Sequence, residues 1–472
     1  MRHAANDHRK WWALAGVSIA SFLGCVDFTI VNTALPALQG QLGVPVSTLQ
    51  WVINGFLLAM SSCMVVVGRL ADLHGRKRVL CIGLAVFGVA SVVAGQAQGP
   101  GLLIAARVAQ GLACAVLYTA SGAIVAQAFA AHEQGKAFGV LFGFNGVGLA
   151  VGPVLGGVLT QAFGWPWIFL INVPFVLLSL LLIAVNVDES RADDQGQGLD
   201  WAGAVLLLVG LPSLVLLIVQ GYSWGWASPQ SLGVLAVAVV ALALFVWVEL
   251  RVGAPIINLQ LFANRRFVAA VLASFSLAVF YCVAFFVMPL YLTQVRGADV
   301  QASGLLLLPT TLGVALLSPW VGRWVDRKGA GPLIQIGLLL FAGSALLQIG
   351  FSASTALPSV VAAFAVMGLG WACLLGPSTV LGVSAVPERF GSVAVGSLMT
   401  LHNVGGGLGL ALGVSLLRHY TGPAQAVAPD ALLSGYRAVM LALAVLMVVA
   451  WAGQRWLLRV GAAAGVPQCP HG

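Results

Sequence analysis

Runs of about twenty mostly apolar residues, each the length of a membrane-spanning helix, fill nearly all of this 472-residue chain. They leave little freedom for the fold. Charged residues make up only 8% of the sequence, against about 25% in a soluble domain. No soluble core could hide so much apolar surface, so the solvent for most of the chain is lipid. Fourteen spans are predicted. Six lie near 11–36, 50–70, 79–98, 101–127, 136–160 and 166–187. A polar stretch from Asp188 to Asp200 follows, then two spans near 201–220 and 230–250. The last six lie near 267–292, 302–322, 332–351, 356–380, 393–417 and 436–459. The loops between spans three and four and between nine and ten are very short.

The formal charge of +8 would point to nucleic acid if the basic residues were clustered. They are spread over short loops instead, which is a pattern of membrane topology. With the N-terminus inside, the cytoplasmic loops and ends take Arg2, Arg9, Lys10, Arg69, Arg76, Lys77, Arg78, Lys136, Arg191, Arg251, Arg265, Arg266, Arg323, Arg327, Lys328, Arg389, Arg455 and Arg459. Only Arg296, Arg418 and Arg437 fall outside, and Arg107 is within a span. Both termini are therefore expected in the cytoplasm. The first apolar run continues past the 7–15 residues (roughly) of a signal-peptide core, so it reads as a retained helix. Of the seven cysteines, six lie in spans and none forms a CxxC. That leaves no disulfide framework and no metal site, and small hydrophobic packing is the expected role.

The chain carries an internal repeat. Gly68, Arg69, Asp72 and Gly75 recur as Gly322, Arg323, Asp326 and Gly329, 254 positions on. Asn145 in NGVGLAVG resembles Asn403 in NVGGGLG, 258 positions on. Two patches at nearly one offset point to a duplicated six-helix half, with two extra spans between the copies. The predicted divisions are 1–187, 188–260 and 261–472. Such repeats recur in secondary transporters, with the substrate path at the repeat interface.

Asp27 is the one acidic residue placed well inside the membrane, where a carboxylate is costly and functional by default. Arg107 is its expected partner. Asp27 lies about 24 Å along the first span, and Arg107 about 9 Å below the outer surface, at 1.5 Å per residue. Both fall in the outer half. Hydrocarbon disfavours an isolated carboxylate and an adjacent guanidinium favours it, so movement of Arg107 relative to Asp27 would load or release a proton. A permanent ion pair that only locks two helices is the alternative.

In the loop GRLADLHGRKRVL, Gly75 permits a sharp turn and Asp72 is placed to cap a helix or pair with a base. Its echo favours a conformational latch of Gly68, Asp72, Gly75, Arg76, Arg323 and Asp326 over a topological anchor alone. This loop resembles the signature between helices two and three of the major facilitator superfamily. RVAQG at 107–111 resembles its fourth-helix motif, and GLAVGPVLGG at 148–157 the fifth-helix motif of its drug antiporters. VDFTIVNTALP at 26–36 resembles the first-helix motif of the fourteen-helix drug:proton antiporter branch, the EmrB/QacA type. PWIFLINVP, LLLLPTTLG and the central helix pair also fit that branch. Pro166 departs from it, standing where the family usually has Arg, and His402 stands where another polar residue is usual.

The resemblance implies an all-α integral membrane protein with the major facilitator fold, six plus two plus six helices in two pseudo-symmetric halves. It implies proton transfer for Arg107 and coupling for Asp27. It makes Gly148, Gly152, Pro153, Gly156 and Gly157 a helix-five gate; small residues at that spacing also let backbones pack closely. Asn32, Asn54, Gln110, Asn145, His402 and Asn403 are candidate cavity residues, although helix-to-helix hydrogen bonding serves such residues, and Asn172, equally well. Trp51, Phe56, Tyr118, Phe142, Phe144, Tyr281, Phe285 and Phe286 could line an apolar cavity or face lipid.

The expected function is a proton-coupled exporter of drugs, antibiotics or other small hydrophobic compounds by alternating access. The proton gradient replaces any cofactor. The expected setting is the bacterial cytoplasmic (inner) membrane, as a monomer, with no nucleic acid and with a periplasmic adaptor protein as a candidate partner. A non-transporting sensor or scaffold and an uncoupled facilitator are the alternatives. No catalytic or metal constellation occurs in the loops, and no phosphate-binding G-x-x-x-x-G-K-[ST], so an enzyme is not expected. Only one membrane carboxylate was found, which leans the substrate toward neutral or anionic compounds.

Overall fold

The computed structural model describes residues 2–43, 46–191, 199–253, 255–257, 259–298, 300–387, 390–421 and 428–463. Among them, fourteen helical spans are long and apolar enough to cross a membrane. Lipid offers backbone groups no hydrogen-bond partner, and a helix satisfies them within one segment. The first bundle is α1 (Arg2–Leu42), α2 (Val46–His74), α3 (Arg76–Gly95), α4 (Pro100–Ala128), α5 (Gln134–Phe163), and α6 (Trp167–Leu170) with α7 (Asn172–Asn186) as one broken span. Next come α8 (Trp201–Trp224) and α9 (Pro229–Glu249). The second bundle is α10 (Arg265–Leu290), α11 (Val300–Lys328), α12 (Ala330–Ile349), α13 (Leu357–Ser384), α14 (Gly391–Thr421) and α15 (Pro429–Ala463). Pro100 opens α4 at its first position, where its missing N–H costs nothing. That ends the ambiguity between spans three and four.

The two bundles pack alike. In the first, α1 lies on α5 and α7, α2 on α4, and α3 on α4 and α7. In the second, α10 lies on α14 and α15, α11 on α13, and α12 on α13 and α15. The bundles meet along two seams, α5 against α11 and α2 against α14. The central pair is not detached. Its α8 packs on both α2 and α14, through a cluster that includes Val65, Val66, Leu207, Leu211 and Val404.

Glycine makes the closest of these approaches. In α5, Gly148 sits against Cys25 and Phe22, Gly152 against Thr29, and Gly156 against Thr33 and Ile30, all of α1. In α14, Gly405, Gly409 and Gly413 sit against Phe275, Val279 and Val283 of α10. Gly157 faces open space and Pro153 is exposed, so neither belongs to that contact. Gly111 of α4 lies against the Phe56 carbonyl of α2, which leaves no room for a side chain.

Gly111→Ala is expected to destabilise the protein by about 1–3 kcal/mol through overpacking against a backbone that cannot yield. Gly157→Ala, with nothing within 4 Å, is expected to leave stability unchanged. Thermal unfolding in detergent separates the two.

Candidate functional site

Asp27 and Arg107 meet inside the first bundle, 0% and 1% exposed. Arg107 Nη1 donates to Asp27 Oδ2. Its Nε donates to the Val52 carbonyl at 3.0 Å, and Nη1 also reaches Gln110 Oε1 at 2.9 Å. The guanidinium lies 4.2 Å from the Phe56 ring centre. The other carboxylate oxygen, Asp27 Oδ1, accepts from Gln110 Nε2 at 3.2 Å and from Asn172 Nδ2 at 3.0 Å. Ser91 Oγ closes the cluster, accepting from Gln110 Nε2 at 2.9 Å and donating to the Phe87 carbonyl at 2.8 Å. Residues of α1, α2, α3, α4 and α7 therefore converge on one charge pair. Gln110 belongs to this network, not to a cavity. Ser91 gave no sign of itself in the sequence, being one hydroxyl in an apolar run, and Asn172 was one intramembrane amide among several.

The second bundle holds a neutral cluster on the helices equivalent to α3 and α7. Tyr436 of α15 donates to Gln348 Oε1 at 2.6 Å, Gln348 Nε2 to Ser344 Oγ at 3.0 Å, and Ser344 to the Ala363 carbonyl at 2.8 Å. No ion pair joins it among the described residues. The pseudo-symmetry of the bundles thus stops at their polar centres.

The repeated loops meet the opposite bundle at one end of the molecule. Asp72 is fully buried. Its Oδ1 accepts from Arg76 Nε and Nη2, both at 2.9 Å, and its Oδ2 accepts from the Val393 N–H at 3.1 Å, in the first turn of α14. Asp326 mirrors it, accepting from the Gly135 and Lys136 N–H groups at 2.6 and 2.8 Å in the first turn of α5. Each carboxylate satisfies donors that a helix start leaves unpaired and sits at the positive end of its dipole. Gly68 and Gly322 let the chains close, packing on Ser392 and Gly135 backbone. Gly75 and Gly329 precede α3 and α12 at φ 108° and 79°, backbone open to glycine at little cost. The two halves of this clasp differ. Arg323 is exposed over Trp320, with 5.0 Å to the ring centre, and joins no carboxylate among the described residues. Ala330 stands where the first copy has Arg76, so among the described residues only the first contact has an ion pair.

In the second bundle, aromatic side chains form a column. Tyr281 of α10 stacks on Trp371 of α13 at 4.7 Å and on His402 of α14 at 5.6 Å. Phe285 meets Trp371 edge-on at 5.9 Å. His402 Nδ1 lies 2.9 Å from the Ser274 carbonyl and 3.1 Å from the Ser274 hydroxyl. From the first bundle, Tyr118 OH contacts Cys25 Sγ at 3.0 Å. Asn145 is buried with Oδ1 unpartnered among the described residues. Asn403 donates to the Met399 carbonyl at 2.9 Å and approaches Met64 Sδ across the seam at 3.6 Å. Asn54 is half-buried apart from the ion-pair network, and the Asn32 side chain lies outside the described residues. Trp371 was missed because it sits in an apolar run without a polar neighbour.

Two six-span bundles related by a repeat, with a buried charge pair in one of them, are the architecture of a multi-pass membrane transporter. The sequence matches the Major Facilitator Superfamily over residues 17–410 and belongs to that family. It is 34% identical over 413 residues to the multidrug resistance protein Stp of Mycobacterium tuberculosis, covering 86% of this chain and 75% of that one. It is 32% identical over 404 residues to the tetracenomycin C resistance and export protein of Streptomyces glaucescens, covering 86% and 75%. It is also 32% identical over 463 residues to the puromycin resistance protein pur8 of Streptomyces alboniger, covering 94% and 91%. The human organic anion transporter MFSD10 shares the fold, with a TM-score of 0.67 at 18% identity over 94% of this chain and 99% of that one.

Breaking a buried charge pair from one side costs about 3–5 kcal/mol, because the remaining charge is left uncompensated. Arg107→Met and Asp27→Asn are each expected to lower thermal stability. The double variant is expected to lose clearly less than the sum, and a double-mutant cycle reads that coupling. Asp326→Asn is expected to increase the labelling of a cysteine placed at Val325, which packs on Gly135 beside the cap.

Proposed function

We propose that this transporter exports small, largely hydrophobic compounds in exchange for protons, with Asp27 as the proton carrier. The observation that carries the reading is the Asp27–Arg107 pair, enclosed in one bundle and replaced by neutral groups in the other. The three side-chain donors to Asp27 come from α4 and α7, and all favour the anion. Withdrawal of Arg107 would leave the buried carboxylate without its counter-charge, which favours uptake of a proton. A protonated oxygen then becomes a donor, and the present set of bonds to α4 and α7 no longer fits.

A mechanical path leads from that site to the clasp. The bonds on Asp27 hold α1. The same helix carries Cys25, Thr29 and Thr33 against the glycines of α5. The far end of α5 is the end capped by Asp326 of α11. A shift of α1 on protonation would therefore be passed along α5 to a contact between bundles. In this reading the bundles rock against each other, the clasp closes the cytoplasmic side, and no cofactor beyond the proton gradient is needed. The basic loops support cytoplasmic termini in a bacterial inner membrane. The resistance and export functions named for the relatives support outward transport of antibiotics.

Proton flux in proteoliposomes tests this. A panel of antibiotics and lipophilic ions is expected to contain a compound that drives proton movement with the wild type and none with Asp27→Asn. Equal proton movement in both proteins, with substrate moving in each, would show that Asp27 is structural.

A further inference from the structure

The aromatic column holds a donor with no acceptor among the described residues. Trp371 is 5% exposed, and its Nε1–H has no hydrogen-bond partner among the described residues. A buried indole N–H normally finds an acceptor. Here the ring is held from both sides, stacked on Tyr281 and met edge-on by Phe285. Its position is thus set by packing, while its polar atom is left unused. An unused acceptor lies at similar depth on the facing bundle. Phe142 of α5 packs on Gly376 of α13. Asn145 lies about 4–5 Å beyond Phe142, and Trp371 about 7–8 Å beyond Gly376 in the same direction, at 1.5 Å per residue. Asn145 Oδ1 is also buried and unpartnered.

Negative charge is also absent from the helices that carry and face the column. Helices α4, α5, α10, α13 and α14 contain no Asp or Glu. Asp27 has no exposed surface, and both its oxygens are occupied. Aromatic faces attract cations, yet a cation that leaves water here meets no carboxylate to offset its lost hydration. An uncharged flat ring loses little on entry, and one carbonyl on its edge would satisfy the indole.

We propose that the Trp371–Tyr281–His402 column recognises flat, uncharged aromatic compounds that carry a carbonyl acceptor, with the Trp371 N–H reading that acceptor. The proposal rests on the exporter reading and names its substrate class. Trp371 is then the specificity-determining residue.

Equilibrium binding of tritiated fluorenone and fluorene to the purified protein in nanodiscs tests it, with empty nanodiscs subtracted. The two probes share a flat ring skeleton and differ in the carbonyl. No gradient is present, so failure of proton coupling leaves this measurement intact. Fluorenone is expected to bind wild type roughly five- to tenfold more tightly than fluorene, the range of one net hydrogen bond. Trp371→Phe keeps a ring and removes the N–H, so it is expected to bring the two probes to parity with fluorene binding retained. Trp371→Ala is expected to weaken both. A fluorenone-to-fluorene ratio unchanged in Trp371→Phe would overturn the proposal. So would the flat cation ethidium displacing fluorenone at lower concentration than fluorenone itself. Either result, with export still proton-driven, removes the substrate class and leaves the exporter reading standing.

Discussion

A carboxylate in hydrocarbon has no water to turn to, and Asp27 is held there by what other helices supply. Arg107 and Gln110 reach it from α4, and Asn172 from α7, with Ser91 of α3 closing the ring. Desolvating two ions is costly, and their mutual attraction offsets that only when the remaining hydrogen-bonding capacity is also satisfied. The cluster meets that condition on the carboxylate, whose two oxygens accept three side-chain bonds. The same requirement organises the first bundle, because these groups sit on four different helices and must arrive at one point. Any change in the charge of Asp27 is then a change in how α1 is held.

That helix has a second face, and there the forces are of another kind. Gly148, Gly152 and Gly156 bring α5 against α1 by removing side chains, so the contact is van der Waals packing with little directional preference. The seam is held by shape, whereas the Asp27 cluster is held by directional hydrogen bonds. At its start, α5 becomes polar again, where Asp326 caps its first turn. Rigid cluster, smooth seam and polar cap lie along two neighbouring helices. In the proposed proton-coupled cycle, this arrangement would carry a local electrostatic event to a contact many residues away, through elements with discrete contacts at each end.

The duplication is exact in architecture and loose in chemistry. Both bundles use glycines to seat their first helix on their fifth, and both lend a carboxylate to the other's fifth helix. The ionic centre of the first becomes Ser344, Gln348 and Tyr436 in the second. Arg76 becomes Ala330, and Arg323 turns out over Trp320. Such asymmetry suits a machine in which one bundle carries the charge and the other carries most of the aromatic column.

Much of this was legible in the chain. Length and apolar periodicity determine the spans, because lipid accepts few alternatives to a helix of that length. The repeat determines the two bundles, and a lone acidic residue in an apolar run marks Asp27 without any knowledge of its surroundings. Comparable depth was enough to pair it with Arg107. Only the tertiary structure decided what joins them. Hydrogen bonding is directional and short-ranged, so whether Gln110 lines a cavity or seals an ion pair depends on the rotation of α4 about its axis. The same holds for Asp72 and Asp326, whose partners are backbone N–H groups of the opposite bundle and leave no trace in residue identity. Trp371 and Asn145 are the clearest case. A polar atom left without a partner is a property of the packed molecule, and no reading of a single chain can see it.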